Sequence, residues 1–376
     1  MILLLSLCAF FVIANPNYAK AQELDAQTLE VEQLKEIFPP DQHFRARVIE
    51  VTAQGKESIA GFNRNYQDIR VEILSGDQTG DILEFRHGSI YDLKDDKKVS
   101  PGDQVIITKS VVADETTYFI TDFYRTDPLI MVVIVFVILI IFLTKKRGVM
   151  AIIGLIVSVG VITLYTVPAL AKGENASSIT LITAYGIAIS SILLAHGIKK
   201  RTIVALLGTM ITLTLAVIIT SFLLVFARLS GVGSEEAYTL QLGPLKNLNL
   251  QGLLFGGIII GTLGVLDDIT TAQAATVEEI SKANPELSAS ELYKRGFSVG
   301  REHIASLVNT LFLAYAGAAL PLFLIFTVNT AEPLWMTLNS EYIAEEIIRT
   351  LVGSSALVLA VPITTLLAAK LFSAKQ

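Results

Sequence analysis

The chain has 376 residues, 52% of them hydrophobic and only 17% charged, with a mean hydropathy of +0.58. Soluble domains carry about 25% charged residues, so this composition excludes disorder and argues against a soluble globular protein. The formal charge of −6 divides unevenly, with −9 on residues 22–127 and +2 on residues 128–376. There is no basic arm for nucleic acid, and the acidic stretch would repel phosphate.

Residues 1–14, MILLLSLCAFFVIA, are too short to cross a ~30 Å hydrocarbon core comfortably. With the small residues Ala19 and Ala21 after them, residues 1–21 read as a cleaved signal peptide, the other reading being an uncleaved signal anchor. Either would export the strand-rich residues C-terminal to it. The one cysteine, Cys8, lies in this run, which excludes disulfides and cysteine–zinc sites from the mature chain. His43, His87, His196 and His303 lack metal-ligand spacing. Residues 23–38 read as a short acidic helix that stops at Pro39-Pro40. From 43 to 126 the pattern becomes short alternating segments rich in Val, Ile, Phe and Tyr, punctuated by Ser75-Gly76-Asp77, Thr79-Gly80-Asp81 and Pro101-Gly102-Asp103. Period-2 alternation between such turns predicts five or six antiparallel strands. They suit a small barrel of the oligonucleotide-binding or SH3-like kind. In Pro101-Gly102 the proline sets φ and the glycine accepts the positive φ of a type II turn.

From Pro128 onward there are seven apolar segments, at 128–144, 149–168, 179–196, 202–227, 250–266, 303–328 and 347–371. Backbone groups in lipid must be satisfied within a segment, so these are helices. Twelve Lys and Arg residues fall in the connections on one side and four on the other. By the positive-inside bias this places the strand module (22–127) outside and the C-terminus inside. The fold class expected is therefore an α-helical integral membrane bundle of seven transmembrane helices (128–376) with an N-terminal extracytoplasmic β-barrel. Residues 267–302 form a cytoplasmic connection read as a helical hairpin. Asn284-Pro285 turns it, Ser288-x-x-Glu291 gives the capping-box pattern of a second helix, and Gly296 ends that helix.

Candidate functional residues cluster on two segments. In GLLFGGIIIGTLGVLDD, Gly257, Gly261 and Gly264 form a packing stripe of small residues that leads to Asp267 and Asp268. Carboxylates near membrane depth face protein or water, so the pair is a candidate ion or proton site. Asp268 is the expected inward member because it continues the glycine stripe. The bland reading is an interfacial pair near a helix end. In the next segment Ser306, Asn309, Leu313 and Gly317 share one face, with Thr310 and Tyr315 beside it and Pro321 beyond. Ser306, Asn309 and Thr310 are candidate pathway-lining residues and Gly317 a packing position; the bland reading is interhelical hydrogen bonding. The last segment carries Arg349 near its outer end. No G-x-S-x-G, H-E-x-x-H or G-x-x-x-x-G-K-[ST] pattern occurs, so neither enzyme activity nor an ATP motor is expected, and no cofactor is called for.

The stretches VLDDITTAQAATVEEI, NPELSASEL, VGREHIASLVNTLFLAYAGAALPL and VGSSALVLAVPITT resemble the YibE/F family of multi-pass bacterial membrane proteins. The resemblance extends over most of residues 40–370. It implies a membrane bundle and supplies neither a substrate nor a catalytic assignment. The expected function is passage of a small solute or ion, by a secondary transporter or channel-like permease. The alternative is a membrane scaffold that recruits partners through its outer barrel and cytoplasmic hairpin. Expected partners are the lipid bilayer, an unidentified small solute or ion, and a second copy or partner protein; nucleic acid is not among them.

Overall fold

The computed structural model describes residues 41–59, 62–88, 92–112, 115–242, 248–321, 324, 328 and 333–374. The expected signal segment and the acidic helix at 23–38 lie outside these residues. The chain falls into two compact units that meet in sequence at Phe136 and Val137.

In the first unit, alternation folds as expected. Strands β1 (Gln42–Ile59), β2 (Phe62–Ile73), β3 (Ile82–His87), β4 (Gln104–Val112) and β5 (Glu115–Phe123) form one antiparallel sheet in the order β3-β2-β1-β4-β5. Every second residue points inward: Ala46 and Val48 of β1 meet Ile69 and Val71 of β2 and Val105 and Ile107 of β4 in one buried cluster. Strand β1 serves both neighbours, pairing its first residues with β4 and most of its length with β2. Register shifts between Val48 and Glu50 and between Val51 and Ala53 bend it, as an extra residue in a ladder does. The sheet therefore curls into a half-barrel rather than the closed barrel expected. Edge strands β3 and β5 approach one another, but no ladder joins them among the described residues. Gly102 adopts φ +96°, as its Pro-Gly turn requires. Gln67 mimics a strand partner, donating from Nε2 to the Val99 carbonyl (3.0 Å) and accepting from the Val99 N–H (2.9 Å).

Helix α1 (Thr126–Thr144) comes after β5, and none of its residues is buried. The second unit continues with α2 (Lys146–Ala171), α3 (Ala176–His196), α4 (Lys200–Phe226), short α5 (Glu235–Leu242), α6 (Leu250–Ala283), α7 (Ala289–Ala318), short α8 (Leu334–Leu338) and α9 (Glu341–Phe372). Among the described residues six helices, α1 to α4, α6 and α9, are long and apolar enough to cross a membrane. Six of the seven expected segments are thus found. The remaining one, 303–328, begins inside α7 and runs into residues outside those described.

Helix α6 is the hub of this unit, packed against α3, α4, α7 and α9. Its inner face (Leu254, Phe255, Ile258, Ile259, Leu263, Leu266) fills the core together with Leu213 of α4 and Val352, Ala356 and Ala360 of α9. Close approach depends on glycine. A Cβ on Gly256 would stand 2.6 Å from the Thr180 hydroxyl of α3, and one on Gly208 would collide with Thr364 of α9. The hairpin reading at 267–302 agrees with continuous extension of α6 to Ala283 and a start of α7 at Ala289. Ser288 and Glu291 form the expected capping box, with Glu291 N–H to Ser288 Oγ at 3.3 Å and Ser288 N–H to Glu291 Oε2 at 3.2 Å. Gly296 does not end that helix. It is buried in the middle of α7, where its missing side chain admits Val277 and its carbonyl accepts from Gln273 Nε2 (2.9 Å).

Candidate functional site

Of the two neighbouring aspartates, Asp267 reaches into the bundle and Asp268 stays exposed. This reverses the expected preference, and the reason is angular. Gly257, Gly261, Gly264 and Asp268 share a stripe, and that stripe is the uncovered face of α6. Asp267, about 100° round the helix, meets α3 instead. Its Oδ2 accepts from Ser191 Oγ at 2.7 Å, while its Oδ1 is buried without a hydrogen-bond partner.

The polar face of α7 lies elsewhere. Ser306, Asn309, Thr310 and Gly317 are all exposed, and among the described residues Thr310 bonds only back to the Ser306 carbonyl (3.0 Å). The structure does not bring them together with Asp267 or Asp268. Within the chain, the described residues bring no helix against the glycine stripe. Gly264 and Gly317 have open space where a Cβ would stand. Gly257 and Gly261 instead leave room for polar side chains, with Arg349 Nη1 3.3 Å and Tyr315 Oη 3.6 Å from the respective Cβ positions.

Those two side chains belong to a polar chamber at the end of the helical unit where α9 begins. Glu341, Glu345 and Arg349 recur every four residues, so α9 presents all three on one face, with Glu346 beside them. Arg349 Nε pairs with Glu346 Oε1 at 3.3 Å. The loop between α4 and α5 is tied to this face by its backbone. Glu341 accepts from the Ser230 hydroxyl (2.8 Å) and the Gly231 N–H (2.8 Å), and Glu345 accepts from the Gly233 N–H (2.9 Å). Gly231, at φ +87°, lies against the Leu250 carbonyl, and a Cβ on Gly233 would collide with the Glu345 carboxylate. Only glycine fits at position 231, and a side chain at position 233 would displace the Glu345 carboxylate.

Two partly polar cavities open here, beside an apolar pocket of about 240 Å³ that shares Tyr315 and Glu346 with the larger. A cleft of about 930 Å³ is bordered by Glu346, Arg349, Tyr315, Tyr342 and Tyr238. A smaller one of about 330 Å³ lies deeper, between α2, α3, α6 and α9, and shares Ser234 and Arg349 with the cleft. Glu345, only 5% exposed, fronts on the smaller cavity, as do Thr166 and Thr180. Helix α2 widens beside it into a π-turn at Ile162–Thr166, just before Pro168. Proline removes an N–H, the wider turn absorbs the mismatch, and such π-turns are frequent at functional sites. Neither cavity is bordered by Ser306, Asn309, Thr310 or the two aspartates.

The sequence reading singled out Arg349 and Tyr315 in passing and missed Glu341, Glu345, Glu346 and the Ser230–Ser234 loop. The available signal was the Glu341, Glu345, Arg349 spacing on one face of an otherwise apolar helix. No group of three His, Cys, Asp or Glu side chains converges to hold a metal ion among the described residues.

No curated protein and no solved structure matches the chain. Residues 132–374 match the model of the YibE/F-like protein family. That span, well over half the chain, contains α2 to α9 and both cavities, and with six membrane-length apolar helices it supports a multi-pass membrane protein. The chain belongs to the YibE/F-like protein family.

Proposed function

We propose that this chain lets a small solute or ion cross the bacterial plasma membrane, as a secondary transporter or channel-like permease without catalytic chemistry. The observation that carries this reading is Glu345, a 5%-exposed carboxylate fronting on a cavity of about 330 Å³. A carboxylate buried beside the outer end of a membrane-length helix faces protein or a water-filled cavity rather than lipid, and such groups mark solute pathways. The cavity is within the size range of small-molecule sites. In the proposed orientation the chamber opens on the outer side and Asp267 lies toward the cytoplasm. Between them stands the apolar layer of Leu213, Leu263, Leu266 and Val352, which would close the inner path in this conformation. Asp267, with one orphaned oxygen, would bind a proton or cation on the inner side.

The test is flux. Purified full-length protein in liposomes is screened with a panel of labelled ions and common metabolites. At least one should move faster than in empty vesicles, and Asp267→Asn should cut that rate at least tenfold with unchanged yield and melting temperature. Asp268→Asn should have the smaller effect. No movement of any solute would remove the reading.

The rival reading, a scaffold, has its own supporting observation. Ser306, Asn309 and Thr310 are exposed on α7, and such a face suits a neighbouring helix of another copy or partner. A stable stoichiometric partner, together with absence of flux, would favour it.

A further inference from the structure

We propose that the cavity beside Glu345 binds a small organic ammonium ion. This deepens the transport reading and rests on the same site. Glu345 uses one oxygen to accept from the Gly233 N–H (2.9 Å). Its other oxygen takes no hydrogen bond among the described residues, although the side chain is only 5% exposed. A carboxylate whose free oxygen opens into a cavity can pair there with a cationic donor. Arg349 lines the same cavity, but its ion pair is with Glu346 (3.3 Å), and it makes no hydrogen bond to Glu345 among the described residues. The remaining walls determine which cation. Leu254 and Ile260 offer apolar surface and Thr180 offers a hydroxyl, that of Thr166 being held by Thr183 and the Val161 carbonyl. A bare alkali or divalent ion needs several converging oxygens; one carboxylate among mostly apolar walls suits an ammonium head bearing carbon substituents.

The mouth agrees with this assignment. The outer cleft carries Glu235, Glu236, Glu341 and Glu346 against Arg349, so its field attracts cations and repels anions. Tyr238, Tyr315 and Tyr342 border the same cleft, and phenol rings are the side-chain surface on which organic ammonium ions settle.

The experiment uses full-length protein in lipid nanodiscs and measures equilibrium binding of labelled choline and ethylammonium. Comparison ligands are 3,3-dimethylbutan-1-ol, the uncharged isostere of choline, and acetate. At least one ammonium should bind at least tenfold more tightly than the isostere, and acetate should not compete. Glu345→Gln, which keeps the Gly233 bond, should weaken binding at least tenfold. Ile260→Trp, which fills the cavity from its apolar wall and leaves the carboxylate in place, should do the same if the first variant does not fold. Equal binding of ammonium and isostere, competition by acetate, or full affinity in both variants would overturn the proposal. The same probes in the liposome assay separate the two readings. Ammonium binding without flux of any solute removes transport and keeps the site; flux of an anion or neutral solute without ammonium binding does the reverse.

Discussion

At the scale of single residues, space and burial decide more than residue type. Gly256 and Gly257 are neighbours, yet the first lets Thr180 of α3 close in and the second makes room for the Arg349 guanidinium. Gly256→Val should therefore destabilise the helical unit by about 1–3 kcal/mol, the cost of overpacking a tight contact, and a lowered melting temperature in detergent or nanodiscs would register it. In the strand unit, burial pushes the His87 ring below its usual value of 6.5, and the bond from Nε2 to the Lys97 carbonyl (3.0 Å) opposes this only in part. The unfolded ring thus takes a proton at a pH where the folded ring refuses it. Stability should fall as the pH drops below about 6.5 and level off once the folded ring titrates too. His87→Gln should flatten that stretch of a melting-temperature profile. A second decline belongs to carboxylates. The Arg125 hydrogen bond (2.6 Å) holds Asp122 below the usual carboxylate range, so its contribution disappears only at more acid pH. The two windows should separate in the same profile.

At the scale of elements, termini obey local chemistry and interiors obey their neighbours. Ser288 begins α7 because its hydroxyl and the Glu291 carboxylate satisfy one another's backbone N–H groups, a local device legible in the sequence. Ser288→Ala should cost about 0.5–2 kcal/mol of helix stability, seen as faster hydrogen exchange at the first-turn amides of α7. Gly296, by contrast, looks like a stop and is not one. The α6 side chains Val277 and Gln273 pack against it and carry the helix through, a tertiary override of weak propensity. The π-turn of α2 has the same character. Pro168 signals an interruption, but only the structure shows the Thr166 hydroxyl donating to the Val161 carbonyl (3.2 Å) while it meets Thr183 of α3 (2.6 Å).

At the scale of the whole molecule, the proposed topology rests on charge. Twelve basic residues on one side against four on the other put the strand module outside and the turn between α6 and α7 inside. Since Cys8 is the only native cysteine, labelling of introduced cysteines reads this cleanly. Ser100→Cys should react with an impermeant maleimide on intact cells, and Lys282→Cys should react only after the membrane is opened. The opposite pattern would invert the protein and send the Glu345 chamber to the cytoplasm.

Periodicity and hydropathy act over a few residues, and they sufficed for the strands, the positions of six long apolar helices, the Pro101-Gly102 turn and the cap at Ser288. They located the ionisable residues along the chain as well, since charge in an apolar run is visible without a fold. Which of those residues meet was beyond them. Asp267 rather than Asp268 points inward because α6 leaves one face uncovered, and a stripe of glycines looks the same whether it receives a helix or a guanidinium. Glu345 and the loop at Gly233 are separated by more than a hundred residues. Only the packing of α9 against α6 brings them to one cavity, because burial depends on the whole surroundings of a side chain and not on its neighbours in sequence.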